Sequence, residues 1–149
     1  KERAIWEDDP AWQGIRKLFE MALATYDWGE NFVAMNLVAK PIADETHRQL
    51  GQSAIECNDM FLSLLIENQM RDSERSRRWS SALVKFALTN ESNRSVLEGW
   101  IKKWMVLGRE ATIQYCKTLP ERSGKSDDEM SAHVIGVVEQ YHREMGLTD

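Results

Sequence analysis

Apolar residues recur every three or four positions along almost the whole chain, and no stretch alternates apolar with polar residues between turn signals. A period near 3.6 lines up one side of a helix, whereas a half-buried strand needs a period of 2, so the pattern predicts an all-α fold without a sheet. With 149 residues the chain has the size of one domain and can bury a core that needs no disulfide or metal staple. We therefore expect a single helical domain over residues 1–149.

The punctuation divides this pattern into six helices. Asp9 can cap the first and Pro10 suits its first turn, giving a helix to Thr25 with Ile15, Leu18, Phe19, Ala22 and Leu23 inward. A second starts near Asp27 and carries Phe32, Met35 and Val38 to Pro41. Proline has no N–H and disfavours helical geometry before it, so Pro41 predicts a break between two helical pieces, the later one ending at a left-handed Gly51. Ser53 to Glu56 matches a capping box and opens a third helix to about Met70. Trp79, Leu83, Phe86 and Ala87 mark a fourth, stopped by the polar run 90–93. The fifth carries Leu97, Trp100, Ile101, Trp104, Met105, Ala111 and Tyr115, with Gly99 and Gly108 inviting a close neighbour, and stops at Leu119-Pro120. After a linker over 121–128, the box Ser126 to Glu129 starts a last helix with Met130, Val134, Val137, Val138, Tyr141 and Met145 inward.

Charge and cysteine content remove several function classes. Nineteen Lys and Arg against 24 Asp and Glu leave a net charge of -5, without the basic stripe that neutralises nucleic-acid phosphates. Arg71, Arg75, Arg77 and Arg78 do cluster, but Asp72 and Glu74 interleave with them as on a solvated helix face. The longest apolar run, 60–66, has a serine inside it and cannot cross a bilayer of ~30 Å. Cys57 and Cys116 are isolated from each other, which fits a reducing cytoplasmic location rather than a disulfide framework. The start at Lys1, without an initiator methionine, suggests part of a longer protein.

Two acid and histidine pairs have the spacing of metal-site fragments. Asp44 with His47 and Glu139 with His142 each stand three residues apart, which on a helix points both side chains to one side. Glu20, Glu30, Glu56 or Glu67 could supply further carboxylates, but no spacing selects among them. Glu139 and His142 flank their apolar stripe among charged neighbours, so the plainer expectation is two solvated surface pairs and no metal in this chain. His133 reads as a hydrogen-bonded side chain beside the last stripe rather than a general base, and no nucleophile motif or glycine-rich phosphate loop occurs. The compositional anomaly is six tryptophans. Trp100 and Trp104 lie on a core stripe, whereas Trp6 and Trp12 at the chain entrance are candidate anchors for another protein.

The residues 6–17, Trp-Glu-Asp-Asp-Pro-Ala-Trp-Gln-Gly-Ile-Arg-Lys, are followed by Tyr26-Asp27-Trp28 and Asn36-Leu37-Val38. With Trp79 to Leu83, Asn90 to Arg94 and Leu97 to Trp104, they resemble the small (β) hydroxylase subunit of soluble multicomponent di-iron monooxygenases, in its carboxy-terminal half. Within that family the chain looks most like the propane (short-alkane) group, with phenol and toluene hydroxylases more distant. The resemblance implies a ferritin-like bundle, a paralogue of the large α subunit without its iron site. Where α subunits read Asp-Glu-x-Arg-His, this chain reads Asp44-Glu45-Thr46-His47-Arg48, which leaves Arg48 where a ligating histidine would stand. It further implies a non-catalytic scaffold with no cofactor of its own, whose partners are a large di-iron α subunit, a second β subunit, an NAD(P)H-dependent reductase and a coupling protein. A chain built for such an assembly should expose an apolar patch and self-associate when alone.

Overall fold

The computed structural model describes residues 2–119 and 126–148, and among these every regular element is helical. The order is α1 (Glu2–Asp8), α2 (Pro10–Ala24), α3 (Trp28–Phe32), a π-helical segment (Val33–Ala39), α4 (Lys40–Glu56), α5 (Met60–Ala87), α6 (Ser92–Cys116) and α7 (Asp127–Glu144). α3, the π segment and α4 follow without a gap, so the all-α architecture consists of six rods.

Local capping chemistry sets several starts. Asp9 accepts the amide of Ala11 with Pro10 in the first turn of α2. Asp27 accepts the amides of Gly29 and Glu30 at the head of α3. Ser126 and Glu129 close the expected capping box of α7. Pro120 and 121–125 of the expected linker lie outside the described residues.

One expectation holds and others are corrected. Pro41 stands at the expected restart between two helical pieces, the seven residues before α4 widening into π geometry. An α-helical register would drive the Pro41 ring into the carbonyl of Leu37, and a wider turn relieves that clash. Gly51 does not stop the helix: it is buried against α5, where a Cβ added to it would stand 3.0 Å from Ile66 Cγ2, and continuing α4 keeps that contact. Ser53 accordingly sits inside α4, donating to the Gln49 carbonyl, and Asn58 takes the left-handed position at φ 57°. Asp59 then caps α5, which absorbs both expected middle helices in one rod of 28 residues. Leu23 faces outward rather than inward, at 87% exposed, while Trp79 of α5, 57% exposed, packs edge-on against Phe32 at 5.6 Å.

The π segment is the centre of the core. Val33, Ala34, Leu37 and Val38 are wholly buried, and Ile101 and Trp104 of α6 and Val134 and Val138 of α7 close over them. α2 lies along the outer length of α6, and α5 along α4. Gly14 permits the first contact: a Cβ there would stand 2.7 Å from the Ala111 Cα, and its amide donates to Gln114 Oε1 at 2.6 Å. Gly108 does the same for α6 on the π segment, where a Cβ would meet Val38 at 2.7 Å, whereas Gly99 faces open space and approaches nothing.

Candidate functional site

The densest polar arrangement stands on α4, at the stretch whose sequence resembles an iron motif. Asp44, 4% exposed, accepts from Ser73 Oγ at 2.7 Å and from Lys40 Nζ at 3.0 Å, and Lys40 Nζ also lies 2.8 Å from Ser73 Oγ. Glu45, equally buried, receives the Gln49 amide at 2.7 Å, His133 Nε2 at 3.0 Å and Arg48 at 3.3 Å. A buried carboxylate must be neutralised, and here ammonium, guanidinium and neutral donors of the same chain occupy the oxygens that a cation would need. The Lys40–Asp44 spacing of four residues was the legible signal for it.

The structure does not bring the two metal-like pairs together. His47 Nδ1 meets the Gln69 amide at 3.0 Å, while Glu139 is held by Arg109 at 2.5 Å. His142 is wholly buried, not on the surface, and its Nε2 stands 2.8 Å from the Leu37 carbonyl. That carbonyl is the one Pro41, lacking an N–H, cannot serve in an α-helical register, so the histidine supplies the donor. The periodicity of α7 alone did not reveal this. Of the possible further carboxylates, Glu20 pairs with Arg16, Glu67 with Arg71, and Glu30 receives both Lys103 and the indole of Trp104. Glu56 is exposed at the end of α4. Among the described residues no three His, Cys, Asp or Glu side chains converge as a metal set would.

Apolar surface is instead the prominent feature. Trp6, 38% exposed, leans on Trp12 at 6.3 Å, and Trp12 meets the Tyr115 ring edge-on at 5.2 Å. At the other end of α2, Tyr26 and Trp28 stand out at 104% and 75% exposed. Trp28 borders an apolar cleft of about 280 Å³ with Phe32, Leu83, Val96 and Trp100. Trp6 and Trp12 thus gather at one end of α2, and Tyr26 and Trp28 at the other. No described helix is long and apolar enough to cross a membrane.

The buried thiol and phenols offer no nucleophile. Burial, with a smaller push from Asp127, raises Cys116 to about 11, and burial also raises Tyr115 and Tyr141, the latter opposed by Arg77. The unfolded thiol titrates near 9.0, so between there and about 11 the unfolded chain loses a proton that the folded chain keeps. Stability is therefore expected to be flat below that window and to fall as pH rises through it. Thermal melts across the alkaline range check this, and Cys116→Ala should delay the fall; an unchanged alkaline profile would contradict the buried thiol.

Comparison with known proteins places this arrangement. The chain is 50% identical over 119 residues to the β subunit of the toluene-4-monooxygenase hydroxylase component of Ectopseudomonas mendocina, covering 79% of this chain and 36% of the relative. It is 24% identical over 109 residues to the small subunit of the propane 2-monooxygenase hydroxylase component of Mycolicibacterium goodii, covering 69% and 30%. A solved structure of toluene 4-monooxygenase with toluene in its resting active site superposes at a TM-score of 0.73 with 50% identity, over 76% of this chain and 38% of that one. The chain thus spans about a third of the length of these curated relatives, and the toluene relative stands nearer than the propane one, the reverse of the order expected from the motifs. With the family model for methane/phenol/alkene hydroxylases matching residues 1–91, the chain belongs to that family.

Proposed function

We propose that this chain is a structural β component of a multicomponent hydroxylase that inserts one oxygen atom of O2 into a small hydrocarbon. Its role is to bind and orient a large subunit that carries the di-iron centre, with a reductase drawing on NAD(P)H and a coupling protein completing the system in the cytoplasm. The observation that carries the reading is the saturation of Asp44 and Glu45 by Lys40, Ser73, His133, Gln49 and Arg48, at the place where the resemblance puts an iron motif. An iron site does not fit these residues, because every carboxylate oxygen offered to a metal would first have to shed a partner already in place. The short-alkane substrate expected from the motifs gives way to an aromatic hydrocarbon, because identity to the toluene relative is 50% against 24% for the propane one. Substrate contact itself belongs to the large subunit.

Trp6 and Trp12 are the proposed anchors for that subunit. Trp12 is already packed on Tyr115 and serves as the base, while the half-open Trp6 presents its ring. Truncating a buried aromatic anchor at an interface commonly costs on the order of 2 kcal/mol, more than tenfold in affinity. Trp6→Ala is therefore expected to weaken binding of a co-expressed large subunit by at least about tenfold while leaving turnover per assembled iron unchanged. Titration of the two subunits with iron analysis of each is the measurement. Iron bound stoichiometrically to this chain alone would replace the scaffold reading with a metalloenzyme.

A further inference from the structure

A cavity of about 120 Å³ lies where α2, α4 and α6 meet, walled by Ile15, Leu18 and Phe19 of α2, Ile42 of α4 and Tyr115 of α6. Every residue of its wall is buried or half-buried, so the space belongs to the packed interior. Ala39 and Ala43, one helical turn apart, offer it only methyl groups where larger side chains would fill it. Protein interiors hold few voids larger than a water molecule, and the lining of such a void forfeits contacts that an occupant would restore.

Close contacts on both flanks keep the space from collapsing. α2 is seated on α6 at Gly14, where a Cβ would stand 2.7 Å from the Ala111 Cα. The π segment and α4 are seated on α6 at Gly108, where a Cβ would stand 2.7 Å from Val38 and 2.9 Å from Ile42. Neither α2 nor α4 can settle further onto α6, so the gap between them stays open. A site that cannot relax is one in which an occupant gains the most, because it pays nothing to reopen the space.

The chemistry of the wall selects the occupant. It holds no Asp, Glu, Lys or Arg, so nothing there offsets the desolvation of an ionised ligand. A buried water needs roughly two to four polar partners. Here Thr46 Oγ1 is spent on the Ile42 carbonyl at 2.8 Å, and His47 Nδ1 lies 3.0 Å from the Gln69 amide. Trp12 and Tyr115, edge-on at 5.2 Å, and Phe19 add aromatic surface on which another ring can pack. An apolar cavity of about 150 Å³ stays dry and takes up benzene or xenon, which sets the size this slightly smaller one admits. We infer that the cavity between α2, α4 and α6 is a binding site for one uncharged, apolar molecule no larger than a single benzene ring. This concerns the chain by itself and stands or falls separately from the β-subunit reading.

Titration of the purified chain with benzene, followed through its methyl carbon and proton NMR signals, tests this. Benzene is expected to shift the methyls of Ile15, Leu18 and Ile42 saturably, at one molecule per chain, with a dissociation constant in the millimolar range or below. Thermal melts should rise with benzene, since the ligand binds only the folded chain. Pyridine, the same shape with a nitrogen that must give up its hydrogen bond to water, should bind about tenfold more weakly or worse. Ala43→Leu puts its side chain into the space and should weaken benzene at least about tenfold with circular dichroism unchanged. Ala43→Val, which adds less volume, should weaken it by a smaller factor and keeps the test open if the leucine variant does not fold. Methyl shifts that are absent, that never saturate, or that persist unchanged in the folded Ala43 variants would each overturn the proposal. So would equal affinity for pyridine, since the cavity would then be wet.

Discussion

Replacing Trp104 by alanine is expected to destabilise the chain by about 3–5 kcal/mol, the range for removing a large aromatic side chain from a core. Trp104 is wholly buried between α6 and the π segment, so its loss leaves a cavity lined by side chains that cannot collapse independently. The indole also has a polar duty. Its Nε1 donates to Glu30 Oε1 at 3.0 Å, and Lys103 reaches the same oxygen at 2.6 Å while its ammonium lies 5.5 Å from the indole ring. Removing the ring therefore loosens α3 from α6 as well as emptying the core. Trp104→Phe keeps most of the packing and forfeits the donor, and should cost about 1–2 kcal/mol, because Glu30 retains Lys103. Urea unfolding of both variants is the check. A shift of under about 1 kcal/mol for the alanine variant would mean that α6 does not pack as described.

The second large effect separates two histidines that look equivalent in the sequence. His142→Ala is expected to cost about 3 kcal/mol, combining a cavity at a fully buried site with loss of the bond to the Leu37 carbonyl. His47→Ala, which removes one side-chain contact to Gln69 at the edge of α4, is expected to stay within about 0.5 kcal/mol. In a reconstituted hydroxylase both variants should retain the iron content of the wild type per folded complex. A His142 variant as stable as the wild type would refute the role given to its bond to Leu37. A loss of iron from either variant, with folding intact, would reinstate the pairs Asp44/His47 and Glu139/His142 as ligands.

The structural contrast between these residues explains where sequence reasoning stopped. Asp9 with Pro10, Asp27, and Ser126 with Glu129 were readable because a cap is made by atoms two or three residues apart, and no distant partner can alter that chemistry. Gly51 and Ser53 carried equally good local signals and were overruled. The contact of α4 with Ile66 rewards continuing the helix past them, and propensity is a weak term beside burial. The two expected middle helices merged for a related reason: the charged stretch around Asp72 to Arg78 lacks an apolar stripe wide enough to read, yet it is helical because Ser73 and Ser80 keep that side of α5 against the body.

The candidate site divides along the same line. The residue types on α4, and the departure of Arg48 from the order of an iron motif, are legible in the sequence alone. The partners that neutralise Asp44 and Glu45 were only partly so. Lys40, Arg48 and Gln49 are helical neighbours, but Ser73 and His133 arrive from α5 and α7.

By itself the sequence determined that the chain is helical, where most rods begin, that it lacks the motifs of nucleophilic or phosphate chemistry, and which family it resembles. All of these rest on periodicity, on atoms within one turn of each other, or on residue order. Only the tertiary structure decided that Pro41 widens a helix into π geometry, that His142 lies in the core to serve Leu37, and that a cavity stays open between α2, α4 and α6. Those outcomes depend on which surfaces meet across 29 to 105 residues of chain, and the free energy of burial that selects among them is a property of the packed whole.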